Sequence, residues 1–493
     1  MTSISALTGY VPPNVLRRLG GGLAELPYAE KFEGAVLIAD ISGFTTITEQ
    51  MDRRGPEGAE TLAGLLNHYF GRLIDHVHER GGDVFSFTGD GLIAAWPRIS
   101  GEALDGTLHC ATACALELAA TQSEHLEAGG VPLSVRLGVS AGPLRALELG
   151  GLHGRRFSIL GGEPLDAAAK ASEVVAPGEV GVDAERWPLL ATRSRGKPLP
   201  QGYTRIAELE VPPQRPAAPA PAPVPAALLT PYLPPAVASR EGIGQGDWLA
   251  ELRRVTVVYV NLPGVDHLTE PVLVQQAVLA LQREFDRHEA TINNLSVDAK
   301  GTSIIAATGL PPLSHDDDPV RAVRAAMAVA RSLGEGQWRA GVGVATGRAF
   351  CGAVGNLVRR EYAMSGDVVN TAARLTGHTL TDDSAPVAVV CDAATERATR
   401  QRIDWGAQRE VALKGKSEPV IAFTPMRRRM GALAGDRETV GRRREREALA
   451  QAVQLAAKGT AQLVVLEGDP GMGKSRLLLE VMAQAGSAGI RCL

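Results

Sequence analysis

Residues 211–235, VPPQRPAAPAPAPVPAALLTPYLPP, hold ten prolines, and the sequence before them recurs after them. Proline has no N–H for a sheet ladder and favours extended geometry, so this stretch reads as a linker that splits the chain. LTGYVPP (7–13) returns as LTPYLPP (229–235). GAVLIADISGF (34–44) returns as VTVVYVNLPGV (255–265), each an apolar, β-branched run ending in a loop and hence a buried strand. GGDVFSFTGDGLIAAWP (81–97) and NNLSVDAKGTSIIAATGLP (293–311) both read as strand, glycine turn, strand. An Ala-rich helix follows at 103–126 and again at 318–334. VRLGVSAG (135–142) then matches AGVGVATG (340–347), and FSILGGEPLDAAAKA (157–171) matches YAMSGDVVNTAARL (362–375). The order in each half is βαββαβ, which predicts an α+β chain of two ferredoxin-like domains packed as an intramolecular pseudo-dimer.

The tail is different. VGRRREREALAQAVQLAAKG (440–459) has helical spacing, and QLVVLEGDPGMGKSRLLLEVMAQAG (462–486) reads as strand, glycine loop and helix. The loop fits G-x-x-x-x-G-K-[ST], with Gly468 and Gly473 letting backbone N–H groups wrap phosphate, Lys474 on the terminal phosphates and Ser475 on Mg²⁺. Further strands carrying an acidic residue and a sensor do not follow, so a partial α/β P-loop domain is expected. The predicted divisions are an N-terminal segment (1–30), a first domain (31–210), a linker (211–249), a second domain (250–426) and the start of the P-loop domain (427–493).

Composition narrows the function. Across 493 residues, 51 basic side chains face 55 acidic ones with a pI near 6.2, which leaves no basic footprint for a nucleic-acid binder. Five cysteines without regular spacing exclude a disulfide framework and a Cys-rich zinc module. The start has no basic segment leading into an apolar core, and no 18-residue run is free of charge. A cytoplasmic protein with no membrane span is expected.

The halves differ where chemistry would sit. Asp40 ends a buried strand and Asp90 sits at the turn of the neighbouring hairpin, so two hard carboxylates converge at one sheet edge, as two Mg²⁺ or Mn²⁺ ions bridging a triphosphate require. Ile41 to Thr45 lead into a helix whose start, around Phe44 and Thr45, can hold phosphate on backbone N–H groups. In the second half those carboxylate positions are Asn261 and Thr302. That half carries instead Asn370 and Arg374, four residues apart on one helix face, suited to a sugar oxygen and to developing phosphoryl charge. The matching first-half pair is Leu165 and Ala169, or Asp166 and Lys170 if the register starts at Gly162. Either carboxylate alone could be a turn residue, and either difference alone could be drift. Together the losses are complementary, which points to one complete site between the halves and one dead one.

VLIADISGFTTITEQ, GGDVFSFTGDGLIAAW and EYAMSGDVVNTAARL resemble the signature segments of class III nucleotidyl cyclases. The tandem order, VDAKGTSIIAATG, ALKGKSEPV and the closing LEGDPGMGKS are similar to the soluble, bicarbonate-responsive adenylyl cyclases. The resemblance covers about residues 33–210 and 250–425 plus the start of the P-loop domain. It implies a cyclase making 3′,5′-cyclic AMP from ATP, with two metal ions on Asp40, Asp90 and the Ile41 carbonyl. Asn370 would orient the ribose and Arg374 would stabilise the transferring phosphorus. Lys300 would read adenine, whose N1 accepts where guanine N1 donates, and Lys414 would meet the terminal phosphates. One composite site per chain implies activity as a monomer.

The sequence departs from the family in two places. Ala363 stands where the family has a side chain that hydrogen-bonds adenine. The family's bicarbonate pocket uses a lysine near Ser86 and an arginine near Ala168, and neither cation is present, leaving Lys170 or Arg145 as substitutes for a bicarbonate activator. GGDVF (81–85) also invites comparison with diguanylate cyclases, but Val84 replaces the acidic residue needed there. The competing reading is a degenerate cyclase pair that senses ATP for the attached P-loop module.

Overall fold

The computed structural model describes residues 7–42, 47–48, 51, 56–89, 91–122, 127–128, 131–132, 134–210, 215–216, 223–239, 250–336, 338–380, 387–412, 419–428, 441–467, 474–488 and 490. The first half runs α1 (Pro13–Leu19), β1 (Tyr28–Ser42), α2 (Pro56–Glu79), β2 (Asp83–Phe87), β3 (Gly91–Pro97), α3 (Leu104–Gln122), β4 (Ser134–Gly150), β5 (Arg156–Gly161), α4 (Glu163–Val174), β6 (Val180–Val182), β7 (Ser194–Pro198) and β8 (Thr204–Leu209). The second runs β9 (Glu251–Leu262), α5 (Pro271–Arg287), β10 (Thr291–Asp298), β11 (Gly301–Thr308), α6 (Asp318–Glu335), β12 (Ala340–Gly355), β13 (Arg360–Ser365), α7 (Asp367–Thr379), β14 (Val387–Asp392), β15 (Arg409–Val411) and β16 (Val420–Phe423).

Both halves build one topology. The first sheet is ordered β2-β3-β1-β4-β6-β8-β7 with β5 paired to β4, and the second β10-β11-β9-β12-β14-β16-β15 with β13 paired to β12. Within each, the first four strands form an antiparallel split-βαβ core. The central strands are buried Val, Leu, Ile and Ala on both sides, as their continuous apolar runs require.

The halves exchange their long strands. The end of β4 carries Leu147 and Leu149 into a core with Val274 and Leu281 of α5, and the end of β12 carries Phe350 and Val354 into a core with Leu66 and Phe70 of α2. Two hydrogen-bond sets mirror each other across this swap. Gly150 gives its N–H to Gln275 Oε1 at 2.8 Å and accepts from Gln275 Nε2 at 2.7 Å, while Gly355 gives its N–H to Asn67 Oδ1 at 3.1 Å. The same patch reads its partner in both directions, as a two-fold pair requires.

Within the segment read as a linker, Leu229, Tyr232, Leu233, Ala236 and Val237 are buried beside Tyr10, Val11, Val15 and Leu19 of the N-terminal segment. The two copies of the short apolar repeat therefore share a core. Glu148 of β4 ties them together, paired with Arg18 and accepting from the Tyr232 hydroxyl at 2.5 Å. The last segment holds α8 (Arg443–Ala457) and α9 (Lys474–Ser487). The strand expected at 462–467 is absent: those residues form no ladder, and Leu463 and Val465 are exposed. A parallel strand needs neighbours for its N–H and C=O groups, and none lies alongside among the described residues.

Candidate active site

Asp40 lies near the end of the central strand β1, directly across from Gly91 of β3 and Arg136 of β4. Its position follows from alternation: Ala35, Leu37, Ala39 and Ile41 pack into the helix-covered core, which turns Asp40 to the other face. That face borders a cavity of about 520 Å³ between the halves, walled by Asp40, Arg136 and Asp166 from the first and by Asp298, Ala363 and Asn370 from the second. The Asp40 carboxylate pairs with the Arg136 guanidinium, each side chain about a third exposed, at 35% and 32%. Arg136 is the sole basic residue in the described wall.

Asn370 reaches the cavity because α7 starts in the right place. Gly366 turns the chain at φ 152°, and a Cβ on Gly343 of β12 would lie 2.1 Å from the Ala372 carbonyl, so only glycine lets α7 sit this close to the sheet. The first half repeats the device: Gly162 also has φ 152°, and a Cβ on Gly138 would lie 1.9 Å from the Ala168 carbonyl. Matching Ala168 to Ala372 selects Asp166 and Lys170 as the counterparts of Asn370 and Arg374, the register that starts at Gly162. The sheets likewise match Asp40 across from Gly91 with Asn261 across from Ser303.

The second half is closed where the first is open. Asn261 is buried and its amide donates to Ser303 Oγ at 3.0 Å, while the Thr302 hydroxyl donates to the Val265 carbonyl at 2.6 Å. Neither offers a carboxylate to a cation.

The remaining predicted residues are dispersed. Arg374 is half-buried with no hydrogen bond or ion pair to the described residues, and it follows Ala373, which lines the cavity. Lys300 stands exposed in the β10–β11 turn outside the cavity wall, its N–H donating to Asp298 at 2.7 Å. The neighbouring Ala299 N–H donates to Asp166 at 2.7 Å, which seats the hairpin tip on α4. Ile41 follows Asp40 in β1. Phe44, Thr45, Asp90, Lys414, Gly468 and Gly473 lie outside the described residues, and Lys474 and Ser475 open α9. Of the two substitute cations for bicarbonate, Lys170 is exposed and Arg145 donates to the His267 and Thr269 carbonyls, each at 2.9 Å. Among the described residues no three His, Cys, Asp or Glu side chains cluster as a metal site. Asp40, a hard oxygen donor open to the cavity, fits a divalent cation shared with a polyphosphate.

Sequence reasoning missed three features here. Arg136 was legible, since VRLGVSAG is the strand that must pair with ADISG. Glu361 was not: its carboxylate lines the cavity, accepts the Phe87 N–H at 3.2 Å and lies 3.6 Å from Arg359, whose guanidinium donates to the Val84 and Phe85 carbonyls at 3.0 and 2.7 Å. Burial pushes the Glu361 carboxyl up and Arg359 opposes that shift. Tyr69 of α2 is fully buried with no partner for its hydroxyl among the described residues, and burial, then the Asp40 charge, raise its pKa.

Comparison with known proteins decides the family. The sequence matches the adenylate and guanylate cyclase catalytic domain over residues 28–197 and again over 249–424. The chain belongs to that family. Residues 438–493 of this tandem cyclase-domain protein match an AAA ATPase domain. Adenylate cyclase type 10 of Homo sapiens is 24% identical over 510 residues, covering 93% of this chain and 31% of the relative. The Oryctolagus cuniculus protein of the same name is 25% identical, covering 92% and 31%. The chain thus spans about a third of the length of these relatives. Among solved structures, a class III adenylyl cyclase-like ATP-binding protein from Pseudomonas aeruginosa shares the fold, with a TM-score of 0.53 at 14% identity over 75% of this chain and 85% of that one. No helix among the described residues is long and apolar enough to cross a membrane.

Proposed function

We propose that this chain is an adenylyl cyclase that converts ATP to 3′,5′-cyclic AMP and pyrophosphate at a single composite site. The observation that carries the reading is one cavity walled by Asp40 of the first half and Asn370 of the second, with the counterparts of both replaced in the opposite half. Two divalent ions, Mg²⁺ or Mn²⁺, held by Asp40, Asp90 and the Ile41 carbonyl, would neutralise the phosphates and favour ionisation of the ribose 3′-hydroxyl.

The chain's own groups then divide the work. Asn370 holds the ribose by its amide so that O3′ faces the α-phosphorus. Arg374 and Arg136 offer guanidinium N–H groups to the phosphoryl oxygens, and Lys414 pairs with the terminal phosphates. Phe44 and Thr45 present backbone N–H groups to the triphosphate. The 3′-hydroxyl gives its proton to solvent water, the O3′–Pα bond forms, the bond from Pα to the α–β bridging oxygen breaks and pyrophosphate leaves with that electron pair. Positioning and charge neutralisation supply most of the rate. Lys300 selects adenine by donating to N1, for which its turn has to fold toward the cavity. Because both halves of one chain wall the cavity, the enzyme works as a monomer, in the cytoplasm.

The test is product analysis. The purified chain is incubated with ATP or GTP and with Mg²⁺ or Mn²⁺, and products are separated and weighed by mass spectrometry. Cyclic AMP that disappears in Asp40→Ala is expected. No cyclic nucleotide under any condition overturns the reading. A second reading has one observation in its favour: Ala363 offers the base no hydrogen bond from the cavity wall, which suits a pair that binds ATP to regulate the P-loop module. Heat stabilisation by ATP without product would select it.

A further inference from the structure

We infer that Arg136 and a divalent cation are alternative partners of Asp40, so that the free protein holds metal weakly and metal enters together with a triphosphate that draws Arg136 away. The inference rests on reading Asp40 as a metal ligand. Three observations support it. First, Asp40 and Arg136 face each other in the β1–β4 register, and the guanidinium Nη2 sits on Asp40 Oδ2, one of the two oxygens that can take a cation. Second, Asp40 is the single hydrogen-bond partner of that guanidinium among the described residues, and the buried Nε has none, so no second bond holds Arg136 in place. Third, the second half has lost both charges together: Asn261 faces Gly341.

The physics is competition followed by coupling. A carboxylate that already gives one oxygen to a charge-assisted hydrogen bond is a poorer donor to a metal ion, and the guanidinium left beside a dication repels it. A triphosphate presents enough negative charge to take that guanidinium over, freeing Asp40 and removing the repulsion at once. Linkage then requires metal and nucleotide to tighten each other by the same factor. The dead half, with neither charge, has nothing to exchange.

The experiment measures Mn²⁺ alone on the full chain, without nucleotide, by counting free ion from its paramagnetic resonance signal. The wild type is expected to bind weakly and Arg136→Met at least about tenfold more tightly, since one charge-assisted bond and one like-charge repulsion are removed. Arg136→Lys should stay near wild type, and Arg136→Gln, a second variant in case Met disturbs the fold, should follow Met. Asp40→Asn in the Arg136→Met background should abolish the tightened site. If Arg136→Met and Arg136→Gln bind no more tightly than wild type while Asp40→Asn still removes Mn²⁺, the exchange is wrong and the metal-ligand reading survives. If Asp40→Asn leaves Mn²⁺ binding unchanged, both fail.

Discussion

In the first half the strand end exposes Asp40 to a cavity and pairs it with Arg136; in the second, the same strand end buries Asn261 against Ser303 and faces it with Gly341. Strand order, helix seating and the swapped contacts are nevertheless the same. Gly138 and Gly343 admit their helices by the same close approach, and Gly150 with Gln275 mirrors Gly355 with Asn67. The difference teaches that two kinds of position drift separately. Those that let a helix touch a sheet, or one half hold the other, are kept twice because each domain needs them to fold. On the proposed composite site, those that face the cavity are needed once, because it uses only half of each domain's set.

The largest effect should come from exchanging the two strand ends. Asp40→Asn is expected to lower cyclic AMP formation by at least about a hundredfold, the scale of losing a preorganised charge at a phosphoryl centre, with the melting temperature little changed. The reciprocal Asn261→Asp should leave turnover within about threefold and instead destabilise by about 2 kcal/mol in a denaturant melt, because it buries a carboxylate with no cation across from it. Equal losses of turnover in both variants would break the comparison.

A smaller contrast separates the helix pair. Arg374→Ala should lower kcat about a hundredfold with KM moved far less, as for a group engaged mainly in the transition state. Lys170→Ala, its exposed counterpart, should change neither rate nor stability measurably. If Lys170→Ala slowed turnover, the first-half helix would belong to the site as well.

Much of this was legible because duplication supplies an internal control. The apolar runs, the hairpins and the helix after each Ser-Gly or Gly-Gly turn are local patterns, and reading them twice fixed the order βαββαβ. Asp40, Asn370 and the loss of their counterparts came from the same comparison. What stayed hidden depends on contacts between segments far apart in sequence. Arg359 reaches from β12–β13 to β2, and Glu361 enters the cavity only because that hairpin crosses to the other half. The strand at 462–467 failed for the opposite reason: its pattern is local, but a strand exists only with neighbours. The helix register, open between Leu165 and Asp166, needed the close contact of Gly138 with Ala168 to be settled.

The smallest expected effect concerns the helix behind Asp40. Tyr69 is buried in α2 with its hydroxyl unpartnered among the described residues, and burial together with the Asp40 charge keeps that hydroxyl protonated. The corresponding position in α5, aligned by the positive-φ residues Gly81 and Glu289 that end the two helices, is Ala277, also buried. The hydroxyl is thus confined to the half that kept the carboxylate, yet it makes no hydrogen bond to the described residues. Removing an unsatisfied buried polar group is neutral or favourable, so Tyr69→Phe should hold or raise stability by up to about 1 kcal/mol in the same melt and leave turnover within about threefold. Retained stability with a tenfold loss of turnover would mean that the hydroxyl serves Asp40 in the nucleotide complex. The asymmetry between the halves would then extend from the cavity wall into the core behind it.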